Sequence, residues 1–325
     1  MKKLILALLL ILSLSLFSCS EKKYSKQLWG MFDTVVEVSG YFDSEEDFER
    51  AVEITQETLS YYNELFSIYE DSENINLKSI NESGGEIVEI DRELFDFLAF
   101  FKEIEINTNG ACKMAFGSVT SLWKKTISSD VPLPTDSELF KANSHTLCDT
   151  IELLENPCRI RLTDPDVRID PGAVAKGWAG KKLEKKLIDS GFDSLLVNMG
   201  GHVIAVGDKC GNTWSVGIRN PEGGIFTTVN VTGKSVVTSG VYERGREIDG
   251  TLYHHIISPK TLYPASHFAS VTVISDDSAL ADALSTALFI SPLDEGLKIL
   301  KNYPDISALW IYPDGTHYKT NNFPD

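Results

Sequence analysis

The stretch Ile169-Asp170-Pro171-Gly172-Ala173-Val174-Ala175-Lys176-Gly177-Trp178 brings a carboxylate, a small-residue turn and a lysine into one short run. Arg168 and Ile169 read as the end of a strand, and Pro171 and Gly172 make a turn. Ala175, Trp178, Ala179, Leu183 and Leu187 then recur at helical spacing. A helix that opens on small residues leaves its first backbone N–H groups open to a phosphate. Lys176 would add a point charge there, and Asp170 a hydrogen-bond acceptor. The same residues also describe an ordinary strand-to-helix turn carrying a surface lysine, and both readings stand on this stretch alone. A second pair lies far along the chain. Asp282 and Thr286 are four residues apart in a helical pattern striped by Leu280, Leu284 and Leu288, so they share a different face. A carboxylate and a hydroxyl one turn apart can both reach one hard cation such as Mg²⁺. They can equally be a solvated Asp and a Thr bonded back to its own helix.

The elements that must position these groups alternate between the two periods. A β-branched and aromatic run from Leu28 to Val38 predicts a strand. Ser44 with Asp47 opens a helix with Phe48, Val52, Thr55, Leu59, Tyr62 and Phe66 on its core face, and a polar loop carrying Tyr69 follows. Asp91 caps a helix through Leu94, Leu98 and Phe101 that breaks at Asn109-Gly110. Strands are expected at Thr150–Leu154, Arg159–Leu162 and Val167–Ile169. Beyond the central helix, Ser194 to Gly207 reads as two buried strands joined at Gly200-Gly201. Those glycines suit a bulge or a close backbone approach. A meander, the strand-like Tyr253–Pro259, a strand at Ala269–Ile274, the Asp282 helix and a closing strand pair complete the chain. With no repeat and no low-complexity linker, the chain reads as a single compact α+β domain with mixed β-sheets and flanking helices.

At the N-terminus, two lysines precede an apolar run from Leu4 to Ser18 and then Cys19, the pattern of a signal peptide too short to span as a stable helix. Leu16-Phe17-Ser18-Cys19 resembles the bacterial lipobox, so residues 1–18 are expected to be removed and Cys19 lipidated. Residues 19–27 are expected to act as a polar tether to a domain over 28–325, outside the cytoplasm and held to a membrane by lipid. Loss of Lys2 and Lys3 takes the formal charge from −17 to −19. That surface disfavours nucleic acid and anionic membranes, and an anionic substrate would need local cations. Cys112, Cys148, Cys158 and Cys210 have no metal-type spacing and read as structural or free, Cys148 and Cys158 being the nearest pair.

Several separate stretches together resemble one family: Gly30-Met31 with Thr34; Ile68-Tyr69; Gly110-Ala111 with Gly117; Asp170 to Gly177; Leu196-Val197-Asn198-Met199-Gly200-Gly201; Thr238 to Arg244; Tyr253 to Thr261; and Ala281 to Leu288. In this order, behind a lipobox, they resemble the ApbE family, bacterial FAD:protein FMN transferases with a T-fold-like core, over about Trp29 to Ile311. The resemblance implies FAD along Met31, Tyr69, Ala111, Cys112, Lys113, Asp170, Lys176, His255 and Ile256. It implies Mg²⁺ on the Ala173 carbonyl and the Asp282 and Thr286 side chains. The turn and the Asp/Thr helix face then become two halves of one diphosphate site. The implied reaction moves the FMN moiety of FAD onto a Ser or Thr hydroxyl of a target protein and releases AMP. His255 is the expected base, Asp282 the catalytic metal carboxylate, and His254 faces away. Expected acceptors are subunits of membrane redox pumps or other exported flavoproteins. The chain departs from the usual pattern at Cys112-Lys113, where the family carries Phe-Asp, at Ala115-Phe116-Gly117-Ser118, at Pro171, at Ser258 and at Leu262. Two rivals remain: Mg²⁺-dependent hydrolysis of FAD to FMN and AMP, and a lipoprotein that binds FAD without turnover.

Overall fold

The structure, a computed structural model, describes residues 22–324; the expected signal peptide (1–18) and Cys19 lie outside them. An 8-stranded sheet runs in chain order through β1 (Lys22–Met31), β2 (Thr34–Phe42), β3 (Ser194–Met199), β4 (His202–Gly207), β5 (Lys234–Gly240), β6 (Ser270–Ser275), β7 (Ser307–Ile311) and β8 (His317–Lys319). Its order follows from short reversals between neighbours, interrupted by the helical insertion after β2 and by smaller ones later. The helices used below are α1 (Glu45–Leu65), α2 (Arg92–Asn107), α3 (Gly117–Ser128), α4 (Ala175–Asp189) and α5 (Ser278–Ile290).

Strand alternation divides the residues of β5, β6 and β7 between two apolar clusters. Val237, Val271, Val273, Ala308 and Trp310 pack with Leu284, Leu288 and Phe289 of α5. Val236, Ile274, Leu309 and Ile311 point the other way, onto the hairpin of Trp214–Arg219 and Ile225–Val231. On the helical face, α4 lies between α1 and α5. Asp277 caps α5 by accepting the Leu280 N–H at 3.1 Å, and Ser44 caps α1 by accepting the Asp47 N–H at 3.1 Å. The approach of α4 to α5 needs glycine. A Cβ on Gly177 would lie 2.5 Å from Asp282 Cβ, and one on Gly180 would lie 2.7 Å from Ser278 Oγ. At the β3–β4 reversal Gly200 has φ +63° and Gly201 φ +87°, and a side chain on Gly200 would collide with Thr34.

The fold class is α+β with flanking helices, as expected, and several details correct the reading from sequence. Every strand pairing among the described residues is antiparallel, so the sheet is not mixed. The strand expected over Leu28–Val38 is two strands folded back at Phe32-Asp33, both at φ 53°. The polar stretch expected to be a tether as far as residue 27 is part of β1 from Lys22 onward, paired through Lys22 with Phe42. Val167–Ile169 is extended without being a strand. Asn81 replaces the missing neighbour, donating to the Ile169 carbonyl at 3.0 Å and accepting its N–H at 2.8 Å. The strand through the two histidines stops at His254, paired in a hairpin with Gly245–Ile248. Among the described residues Cys112, Cys148 and Cys158 are free thiols, so the nearest pair, Cys148 and Cys158, forms no disulfide. No helix among the described residues is long and apolar enough to cross a membrane.

A carboxyl is half-buried beside the α4–α5 contact. Glu184 on α4 is pushed from its ordinary 4.5 up to about 7, by burial first and then by Asp277 and Asp276 at the start of α5. The folded state therefore holds this proton more tightly than the unfolded chain. The cost is absent below pH 4.5, grows through pH 7 and is constant above it. Glu184→Gln is expected to raise stability at pH 8 by roughly 1–3 kcal/mol and to change little at pH 4. Denaturant titrations at the two pH values check this, and an equal difference at both would refute it.

Candidate active site

The first half of the site is the start of α4. Its N-cap residue, Val174, offers no side-chain cap. Asp170 closes the preceding turn: Oδ1 accepts the Gly172 N–H at 2.9 Å, and Oδ2 accepts the Thr120 hydroxyl from α3. The Asp170 N–H in turn reaches the Met114 carbonyl at 3.0 Å. Of the first helical amides, that of Ala175 bonds the Pro171 carbonyl at 2.9 Å. Gly177 N–H leaves the helix ladder and donates to Asp282 Oδ2 at 2.7 Å. Among the described residues the Ala173 carbonyl, which an unbroken ladder would pair with Gly177, therefore accepts no hydrogen bond; separately, the Lys176 N–H has no backbone acceptor.

The second half is α5. Asp282 is only 5% exposed. Thr286, one turn on, lies 3.4 Å from the Ser239 hydroxyl of β5, which also meets Ser285 at 2.9 Å. The helical contact thus sets the Asp282 carboxylate and the unpaired Ala173 carbonyl at one seam, with the Thr286 hydroxyl one turn along. An all-oxygen donor set with one buried carboxylate suits a hard divalent cation such as Mg²⁺, which the resemblance expected on these three residues. A different grouping, His145 with Asp164 and Asp166, places its ligand atoms within 4.8 Å of one another. His145 Nδ1 is already bonded to Asp164 at 2.8 Å, so these partly exposed side chains lock a surface turn.

The remaining candidates line the surrounding cleft. Lys176 acts electrostatically on both Glu243 and His255. His255 is exposed, yet protein crowds its ring, and this crowding lowers its pKa to about 4; the bond to the Arg244 carbonyl opposes the shift, while the charges of Arg244 and Lys176 and the neighbouring His254 add to it. Its Nδ1 lies 3.1 Å from the Arg244 carbonyl, which can only accept, so the proton is on Nδ1 and the Nε2 lone pair is free. His254 is buried, with Nε2 donating to the Ala265 carbonyl at 2.8 Å and Nδ1 accepting the Ile256 N–H at 3.2 Å. Tyr69 is 57% exposed and carries the Lys124 ammonium 3.4 Å from its ring centroid; crowding on its protein-facing side, then Asp170 and Asp33, push its pKa upward. Arg244 reaches the carbonyls of Phe32 and Asp33 at 3.1 and 3.4 Å.

The side chains of Met31, Cys112 and Ile256 are buried, while Ala111 and Lys113 are half-buried. The Cys112 thiol is raised well above its ordinary value by burial and then by Asp282, Glu105 and Asp170, which places it beneath both halves of the site. Reading the sequence missed Thr120, Lys124, Asn81, His202 and Ser278. Thr120 and Lys124 share a helix face at i, i+4, a pattern visible beforehand. Asn81 and His202 act across distances in sequence that no local pattern reports.

The ApbE family model matches residues 32–310. Among curated proteins, the FAD:protein FMN transferase of Treponema pallidum is 35% identical over 256 residues, covering 72% of this chain and 69% of that protein. The one from Klebsiella pneumoniae is 30% identical over 258 residues, covering 76% of this chain and 80% of its own length. Among solved structures, the ApbE protein of Thermotoga maritima superposes with a TM-score of 0.83 at 27% identity, covering 92% of this chain and 97% of that one. The flavin transferase ApbE of Vibrio cholerae has a TM-score of 0.78 at 21% identity, over 93% and 99%, a likeness of fold.

In an unobstructed helix, replacing Gly by Ala stabilises by about 0.5–1 kcal/mol. Gly177→Ala is expected to do the opposite here. Its methyl would press on Asp282 Cβ and the Ser278 carbonyl, at a net cost of roughly 1–3 kcal/mol. Chemical denaturation of the two proteins checks the sign.

Proposed function

The chain belongs to the ApbE family, and from that premise we propose that it transfers the FMN moiety of FAD to a Ser or Thr hydroxyl of a target protein in a Mg²⁺-dependent reaction. The observation that carries this reading is the Gly177–Asp282 hydrogen bond, which joins a buried carboxylate to a helix start where the Ala173 carbonyl and the Lys176 N–H are unpaired. Asp282, Thr286 and the Ala173 carbonyl would hold the cation, and once bound it would draw charge from the diphosphate of FAD. Lys176 takes the phosphate oxygens, through its ammonium and through its own unpaired backbone N–H. Tyr69, with Lys124 behind it, offers a face to the flavin.

The step itself balances simply. The acceptor oxygen attacks the phosphorus of the FMN half, the bond from that phosphorus to the bridging oxygen breaks, and AMP leaves with that oxygen. The hydroxyl proton passes to His255 Nε2, whose orientation the Arg244 carbonyl fixes through Nδ1–H. A neutral imidazole is available for this throughout the neutral range because crowding has removed its positive charge. Lys176 holds the charge that accumulates on the leaving phosphate. In this reading residues 1–18 are a lipoprotein signal and Cys19 carries lipid, so the reaction takes place at the cell envelope, on exported or membrane-bound flavoproteins such as redox-pump subunits.

Incubating the full chain in detergent with FAD, Mg²⁺ and an acceptor bearing a Ser/Thr flavinylation site should give in-gel flavin fluorescence on the acceptor and one AMP per flavin attached. AMP with free FMN and no labelled acceptor would instead establish hydrolysis, and bound FAD without AMP would establish a binder. Asp282→Ala should lower Mg²⁺-dependent turnover by about 100-fold or more while leaving a folded protein. For the wild type, kcat should stay level across neutral pH and fall on the acid side near pH 4, because His255 accepts a proton only where it is neutral. An acid limb near pH 6.5 would refute the depressed His255 pKa, and a profile unchanged in His255→Ala would remove His255 from the base role.

A further inference from the structure

His202 opens β4 directly after the Gly200-Gly201 reversal and is wholly buried, 0% exposed. Its Nε2 lies 2.7 Å from the Ser278 hydroxyl. Its Nδ1 is buried without a hydrogen-bond partner and faces Asp282 Oδ1 at 3.6 Å. A core histidine ordinarily has both ring nitrogens satisfied, as His254 does in this same chain through Ala265 and Ile256. His202 has one nitrogen bonded and the other directed only at a carboxylate.

We propose that His202 is a positioning residue for Asp282, fixing the plane of the carboxylate that takes the divalent cation; this rests on the metal reading above. The chemistry of the three groups selects one arrangement. The Ser278 hydroxyl can donate, so it gives its hydrogen to Nε2, and the ring proton then sits on Nδ1, aimed at Oδ1. The opposite tautomer would set an Nδ1 lone pair against a carboxylate oxygen. The gap exceeds a formed hydrogen bond by about half an ångström, within the reach of a small side-chain shift, and the buried Nδ1–H has no other acceptor. Asp282 is then gripped at both oxygens, by the Gly177 N–H on Oδ2 and by His202 on Oδ1. Each oxygen retains a lone pair for a cation. The grip ties three elements together: α4 through Gly177, β4 through His202 and the first residue of α5 through Ser278.

The test uses the full chain and Mn²⁺ as the probe, with free Mn²⁺ followed by electron paramagnetic resonance and thermal melts run alongside. Asp282→Ala should abolish specific Mn²⁺ binding. His202→Leu, similar in bulk and without a donor, should weaken it by about 10–100-fold, the usual effect of removing a group that orients a metal ligand. His202→Asn places an amide N–H near the position of Nδ1–H and should recover most of that loss, although its melting temperature falls as well. Ser278→Ala, which leaves the ring in place but releases its tautomer, should weaken binding by less than His202→Leu and keeps the question open to measurement if the leucine variant does not fold. Equal Mn²⁺ affinity in wild type, His202→Leu and Ser278→Ala, with binding still lost in Asp282→Ala, would overturn the positioning role and leave the metal reading intact. Unchanged affinity in Asp282→Ala would overturn both.

Discussion

At Gly177 the backbone of α4 lies against α5 with no side chain between them, and the amide hydrogen there points to Asp282 Oδ2 rather than back along its own helix. One hydrogen bond has several consequences. It caps α4 from a neighbouring helix, where Val174 offers no side-chain cap of its own. It directs the positive end of the α4 dipole toward a carboxylate. It leaves the Ala173 carbonyl unpaired at the same seam, and it fixes the Asp282 side chain in a place where only small groups fit. Gly177 and Gly180 make the approach possible, since a Cβ at either would strike Asp282 or Ser278. The sheet beneath keeps the two helices in register through residues such as Ile204 on β4 and Val273 on β6.

The acidity of the whole chain makes the local charges around this seam more telling. A protein of formal charge −17 repels a diphosphate at long range, so recognition must come from cations at close range. Lys176, Lys124 and Arg244 are gathered at the cleft, and Arg219 lies 4.6 Å over the Tyr242 ring nearby. Lys124 and Arg219 lie on ring faces, Lys176 sits at the start of a helix, and Arg244 is held by two backbone carbonyls as well as a 3.6 Å ion pair with Asp33. Such anchoring keeps a cation available to a ligand, whereas the surface pairs on the outer face of α4, such as Lys185 with Asp189, are already occupied.

Much of this was legible in the sequence because the signals are local. The strand–turn–helix around Asp170, the Asp282 and Thr286 face and the paired glycines at the β3–β4 reversal all depend on spacing within a few residues. The resemblance to the ApbE family added which of these belonged together. The rest was not legible because it is made between distant segments. Nothing near Asn81 announces that its amide will bracket Ile169, and nothing in the run Gly200-Gly201-His202 says which carboxylate the imidazole will face. The run Leu28–Val38 reads as one strand because its residues are mostly β-branched and aromatic, and Phe32 is a poor turn former by type although Asp33 is not. Their left-handed backbone is held instead by the Asn63 side chain on the Phe32 N–H and by Arg244 on the two carbonyls. That turn therefore belongs to the site, because the same Arg244 presents the carbonyl that orients His255.

The titrating groups around the cleft share one pattern. Burial raises Tyr242 to about 12 and the Cys112 thiol well above its usual range, and crowding by protein raises Tyr69 and lowers His255 to about 4. The shifts reinforce the neutral form that all four already favour at physiological pH, which leaves the charge of the site on Lys176, Arg244, Lys124 and the carboxylates. Crowding by protein strengthens the field of those few charges, since less water screens them. The same crowding explains how an imidazole open to solvent can lose its proton so readily. A site of this kind binds an anion through a small number of fixed charges and supplies a neutral base beside them. The transfer of a phosphorus centre from a diphosphate to a hydroxyl calls for those two properties together.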